Sequence, residues 1–326
     1  MNHQDLTSSI ITPINSLALK GSASVVIVLH HYVQNAAIGR SNLCTEFVGS
    51  ACGYIAVALF FFLSGYGLME SEKRRKLSTG DFLKRRLSRV YVPFVITNLL
   101  LITVLWGFGH YEATVGNIMA HTFGLRLIDS VTWFVPVTLL FYLFVLLLSS
   151  VQERWHKACG MAGLGVAYIV IGMLVGVPFY AFVSSPAFPL GYIASLYSHE
   201  ICQAIQGAVR AVMLVVCAVA FALLSWTMMG HIAVQGHLLH AVIGANNIAL
   251  VGIIVLTFAG KDYKWLRCKW LGDISYEIYL CHAKVFMVYI ALTGTFATFH
   301  PLWLLGILPL AYALSVVDRA CSQRLR

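Results

Sequence analysis

Gly49 to Met69 reads GSACGYIAVALFFFLSGYGLM, an apolar run without one charged side chain, and it breaks at once into Glu70-Ser71-Glu72-Lys73-Arg74-Arg75-Lys76. About 20 predominantly apolar residues in a helix cross the hydrocarbon core of a bilayer. Predominantly apolar runs of similar length recur on both sides of this one, at 14–37, 90–109, 132–150, 159–177, 180–197, 208–229, 238–259, 271–293 and 301–317. The expected fold is therefore all-α: a polytopic membrane bundle of about ten helices that takes up the whole of residues 1–326 as one unit. The first run has no basic residue before Lys20 and no A-x-A site after Val33, so it is expected to remain as a helix and not to leave as a signal peptide.

Composition agrees. The chain is 59% hydrophobic and only 11% charged, with a mean hydropathy of +0.81, whereas about a quarter of an ordinary soluble chain is charged. A soluble domain is excluded. The basic excess, 22 Lys and Arg against 13 Asp and Glu, lies in loops between apolar runs. No basic run is interleaved with stacking aromatics, so no nucleic-acid partner is expected. Eight cysteines form no C-x-x-C pair; Cys159, Cys202, Cys217, Cys281 and Cys321 fall in or beside apolar runs and read as buried thiols.

Lys and Arg in short loops mark the cytoplasmic side. Eighteen of them, led by Lys73 to Lys76, Lys84, Arg85, Arg86 and Arg89, fall in alternate connections and the carboxyl-terminal tail, against only Arg40 and Arg126 in the other loops. Both termini should then face the cytoplasm, which an even number of crossings satisfies.

Ionisable side chains inside membrane spans are costly and are functional candidates by default. The first run holds Lys20, His30 and His31. At about 100° per residue, the eleven steps from Lys20 to His31 bring them within roughly 20° of one face and about 16 Å apart along the axis. A cation near the cytoplasmic end and an imidazole deeper in are thus expected to share one lining, while His30 points roughly 100° away. Glu277, His282 and Lys284 form a second polar group in the ninth run, where Glu277 could orient a histidine. Arg86 and Arg89, three apart, can face one way on a helix. His237 and His240 have a metal-type spacing, but no carboxylate or cysteine completes a set and no metal is expected. Trp133 and Phe134 read as an interfacial aromatic anchor or a sugar platform, and Ser64 as a packing residue, since no G-x-S-x-G elbow surrounds it.

These residues carry a resemblance. Leu19-Lys20-Gly21 through Leu29-His30-His31 is similar to the first-helix signature of the acyltransferase family 3 membrane proteins, an arginine, ten residues and a histidine, with Lys20 standing where that family has arginine and His31 at the histidine. Phe60-Phe61-Phe62-Leu63-Ser64-Gly65-Tyr66 resembles its second-helix end, and Arg86-Leu87-Ser88-Arg89 with Tyr91 and Pro93 its R-x-x-R loop. Leu271-Gly272, Ile274 to Leu280 and His282 resemble its late-helix motif. The resemblance implies a ten-helix O-acyltransferase of the bacterial inner membrane, of the stand-alone branch without a fused periplasmic domain. Its donor would be cytoplasmic acetyl-CoA or another acyl-CoA, and its acceptor a hydroxyl of a glycan or lipid-linked sugar. His31, with Glu277 and His282, would carry the proton chemistry, and Lys20, Arg86 and Arg89 would bind the donor. The alternative reading is a transporter or flippase whose substrate path runs past the same polar residues.

Overall fold

A computed structural model describes residues 9–36, 38, 41–74, 78–261, 263 and 269–324. Of the residues used for orientation, Arg40, Arg75, Lys76, Lys264, Arg267 and Arg326 lie outside them, as do the side chains of Arg324 and Cys321. The chain runs α1 (Pro13–Asn35), α2 (Leu43–Arg74), α3 (Thr79–Gly107), α4 (Val115–Thr122), α5 (Ser130–Leu148), α6 (Arg154–Leu174), α7 (Ala187–Leu196), α8 (Ser198–Ala204), α9 (Gly207–Met228), α10 (Gly236–Phe258), α11 (Lys269–Asp273), α12 (Ser275–Thr293) and α13 (Ile307–Arg324). It is a polytopic helical membrane bundle: eight of these segments, α1, α2, α3, α5, α6, α9, α10 and α13 with its lead-in, are long and apolar enough to cross a bilayer.

The two remaining expected crossings differ from that pattern for separate reasons. The run at 180–197 shortens to the ten-residue α7, because Pro178 and Pro186 hold the chain before it in turns and a 3-10 segment. A helix of that length reaches about 15 Å. In contrast, α12 has 19 residues but carries buried Glu277, His282 and Lys284, so its limit is polarity and not length. At the other extreme, α9 buries only Ser225, whose hydroxyl bonds to Asn246 Oδ1 of α10 at 3.2 Å. A helix that is apolar all round and faces outward is in contact with lipid. Cys159, expected to be buried, is likewise exposed on α6.

Two close approaches bring the helices around the polar residues together. A Cβ at Gly65 of α2 would lie 2.2 Å from Phe188 O, and one at Gly191 of α7 would lie 2.1 Å from Phe62 O, so these helices pack backbone to backbone. A Cβ on Gly272 of α11 would lie 2.2 Å from Leu17 O, which seats the start of α12 against α1. α1 itself starts at Thr12, whose Oγ1 accepts from Asn15 N at 3.2 Å, followed by Pro13 at the first helical position.

One end of the bundle is tied by basic side chains. Lys73 bonds to Ser195 O and Glu70, Arg154 to Leu196 O and Glu200, Lys157 to Glu72, and Arg210 to Ala259 O. This basic end holds the start of α1, the end of α2 and the start of α12. The opposite end holds the end of α1 and the start of α5.

Candidate active site

Two cavities open toward opposite ends of the bundle. The first, of about 430 Å³, is lined by His30, His31, Gln34, Asp129, Trp133 and Phe286 among others. The second, of about 510 Å³, lies toward the basic end and is lined by Lys20, Arg86, Arg89, Glu277, Tyr276 and Arg319 among others. Between them stand three rings from three helices: Phe60 of α2, Phe134 of α5 and Tyr279 of α12. Their centroids are 6.1 Å (Phe60 to Phe134), 6.4 Å (Phe60 to Tyr279) and 5.5 Å (Phe134 to Tyr279) apart, ordinary contact spacings for aromatic rings. Tyr279 is fixed there by its hydroxyl, which donates to Val131 O at 2.5 Å.

This partition corrects one expectation. Lys20 and His31 do lie along one helix and both face cavities, but in two separate chambers and not in one passage. Helical periodicity gives the angle around α1; it says nothing of rings that three other helices insert across that face. The same partition relocates Phe134, expected at the interface with lipid and found buried, while Trp133 lines the first cavity.

In the first cavity the histidines define each other's protonation. His282 Nδ1 faces Tyr279 O at 2.7 Å and Ile278 O at 3.3 Å, and a carbonyl only accepts, so Nδ1 carries the hydrogen. His31 Nδ1 lies 3.0 Å from Ile27 O and 3.1 Å from His282 Nε2. By the same reasoning His31 Nδ1–H donates, shared between Ile27 O and a lone pair on His282 Nε2. That tautomer assignment, made from the network, leaves His31 Nε2 unprotonated. His30 turns aside, as the angle required: its Nδ1 bonds to Val48 O at 2.7 Å. The carbonyl is available because α2 opens into a π-turn over Val48–Cys52. Gly53 makes room, since a Cβ there would meet His30 Nε2 at 2.3 Å.

Asp129 is a member of this chamber that sequence reading missed. It caps α5, its Oδ1 accepting from Val131 N at 3.1 Å and Thr132 N at 2.9 Å, and its Oδ2 accepts from Lys284 Nζ at 2.8 Å. Both partners are buried. The cap was legible in Asp129-Ser130-Val131-Thr132; the ion pair, 155 positions apart, carried no sequence signal.

The basic-end cavity is wired differently. Arg86 and Arg89 both reach it because α3 is helical through them, with a π-turn over Leu87–Tyr91 just before Pro93, which has no N–H to give the preceding turn. Tyr276 of α12 donates to Val90 O inside that turn at 2.6 Å. The Arg86 guanidinium lies 5.6 Å from the Phe82 ring centroid and 5.8 Å from that of Tyr142, and its Nε is buried without a partner. Among the described residues Lys20, Arg86 and Arg89 make no ion pair. Glu277 opens into this chamber, beside the cations, and makes no hydrogen bond to a histidine among the described residues; the residue that orients His31 is His282. His237 and His240 lie elsewhere, with His240 stacked 4.5 Å from the Phe179 ring.

The arrangement places an unprotonated imidazole nitrogen in one chamber and unpaired cations in the other. Comparison with known proteins gives it a family. Nodulation protein 10 of Rhizobium leguminosarum bv. viciae is 26% identical over 287 aligned positions that cover 72% of each chain. No solved structure matches the chain. The sequence profile described as an acyltransferase domain matches residues 17–317, from just before Lys20 into the last crossing, and the chain belongs to that acyltransferase family.

Proposed function

We propose that this protein transfers an acyl group, acetyl in the first instance, from acyl-coenzyme A to a hydroxyl of a carbohydrate, with His31 as the base. The observation that carries the reading is the His31–His282 pair, which leaves His31 Nε2 as a free lone pair facing a cavity. The acceptor hydroxyl gives its proton to that nitrogen as its oxygen attacks the thioester carbonyl carbon. When the tetrahedral intermediate collapses, the carbon–sulfur bond breaks and the proton passes from His31 to the departing thiolate. His282 holds the imidazolium through its Nε2 lone pair, the orienting part that a carboxylate plays in hydrolase triads.

Lys20, Arg86 and Arg89 are the donor's phosphate partners in this reading. Lys20 and Arg86 are half-buried and Arg89 is exposed. Although Asp273, Glu277 and Asp318 also line the cavity, none of the three cations makes an ion pair among the described residues, and such a cluster fits an anion that arrives from outside. Since Lys and Arg accumulate on the cytoplasmic side, the basic end faces the cytoplasm, where coenzyme A thioesters are found, and the acceptor meets His31 from the other face of the bacterial inner membrane.

Purified protein, radiolabelled acetyl-CoA and cell-envelope carbohydrate test the reading. Wild type should release coenzyme A and label the carbohydrate, and His31→Ala should lower kcat by about 10³-fold while still binding donor. Uptake of unmodified solute into vesicles without thioester consumption would instead mean a transporter.

A further inference from the structure

Two hydroxyls that line the basic-end cavity make no hydrogen bond among the described residues. Helical Ser and Thr side chains ordinarily bond back to a carbonyl one turn earlier. Ser24, Thr97, Thr103, Thr227 and Ser275 all do so, at 2.8 to 3.0 Å. Ser64 and Thr138 do not. Thr138 is 1% exposed and its Oγ1 is buried without a partner, and the Ser64 hydroxyl has no hydrogen bond among the described residues. Both residues line the cavity that holds Lys20, Arg86 and Arg89.

Their height in the membrane follows from the register. Ser64 stands four residues after Phe60 on α2, and Thr138 four after Phe134 on α5. Both helices run toward the basic end, so each hydroxyl sits about one turn, roughly 5 Å, below its ring on the side of the cations. Along the axis the order is cations, two hydroxyls, three rings, histidine. A coenzyme A thioester has the matching order: phosphates, an arm with two amide groups, then the thioester. Amides taken out of water need hydrogen-bond partners, and a hydroxyl can donate to an amide carbonyl or accept from an amide N–H.

We propose that Ser64 and Thr138 form the binding site for the amide-bearing arm of the thioester donor, between the phosphate-binding cations and the Phe60–Phe134–Tyr279 partition. The site rests on the donor assignment above and adds two recognition residues to it. It also gives Ser64 a role other than packing, and one that requires no nucleophile.

The test compares two donors, acetyl-CoA and acetyl-pantetheine, which keeps the amide arm and lacks the nucleotide. The variants are Ser64→Ala with Thr138→Val, changes that keep size and remove only the hydroxyls, and Arg86→Ala with Arg89→Ala. In the hydroxyl variant KM should rise about tenfold for both donors with kcat little changed, and Thr138→Ser should restore the threonine share. In the arginine variant KM should rise for acetyl-CoA alone. Unchanged KM values for both donors in the hydroxyl variant overturn the arm site while leaving the acyl-transfer reading in place. If wild type consumes neither donor, the acyl-transfer reading falls and the arm site falls with it.

Discussion

The two chambers contain polar groups of opposite habit. Around His31 the imidazoles and Asp129 are tied to protein partners: His31 to His282 and Ile27, His282 to Tyr279, His30 to Val48, Asp129 to Lys284 and two backbone N–H groups. In the other chamber Lys20, Arg86 and Arg89 have no such partners among the described residues, and the nearby hydroxyls of Ser64 and Thr138 make no hydrogen bond among them either. A satisfied network holds one geometry, as a base needs before its substrate arrives. An unsatisfied cluster keeps its interactions for a ligand. On the acyl-transfer reading proposed above, chemistry belongs to one chamber and recognition to the other, with three aromatic rings between them.

The largest effect that separates the two is loss of recognition. Arg86→Ala with Arg89→Ala should raise the donor KM about 100-fold, the scale of two charge-assisted hydrogen bonds, with the protein still folded; steady-state kinetics with acetyl-CoA measures it, and an unchanged KM would remove the cations from donor binding. On the other side of the partition, His282→Ala should leave donor KM alone and lower kcat about tenfold, since Ile27 O still holds His31. His282→Gln, which can present an oxygen to His31 Nδ1–H, should recover part of that loss. Equal activity in the alanine and glutamine variants would show that His282 only fills space.

Stability should respond to the tied chamber more than to the free one. Lys284→Met leaves Asp129 buried and unpaired, and breaking such a pair costs about 3 to 5 kcal/mol. Thermal unfolding in detergent should show that loss, and Asp129→Asn together with Lys284→Met should recover part of it. The smallest effect lies outside both chambers. Arg154 bonds to Glu200 at 2.7 Å and lies 4.5 Å from the Tyr197 ring centroid, with both partners of the ion pair about half exposed. The Arg154 guanidinium holds the Glu200 carboxyl down at about 2, so this pair contributes at pH values above the ordinary carboxylate range near 4.5 and is lost as pH falls toward 2. Exposed pairs are worth less than about 1 kcal/mol. Glu200→Gln should therefore change the melting temperature little at neutral pH, and a loss as large as that of Lys284→Met would refute the ranking.

Much of this was legible in the sequence because hydrophobic length and period 3.6 are local properties. The run from Gly49 to Met69 lies inside α2, and Lys20, His31, Arg86 and Arg89 were found by helical spacing, resemblance and cost of burial. What was not legible depends on which faces meet. Phe60 read as a member of an apolar run and Phe134 as part of an interfacial aromatic anchor, and only the packing of α2, α5 and α12 makes them a partition. The shortness of α7 follows from prolines whose effect depends on where the turn is packed. Glu277 shares a motif with His282, yet Glu277 opens into the basic-end cavity while His282 bonds to His31 of the other, although the two are only five residues or about 7.5 Å apart along the axis.

The central claim is that donor recognition and acyl transfer occur on opposite sides of the Phe60–Phe134–Tyr279 rings. Protein inserted in one orientation into vesicles, with acetyl-CoA supplied only at the Arg86–Arg89 face and soluble carbohydrate acceptor only at the His31 face, tests it directly. The account predicts acetylated carbohydrate at the His31 face, with coenzyme A released at the other. Acetylation only when donor and acceptor share a face would contradict it.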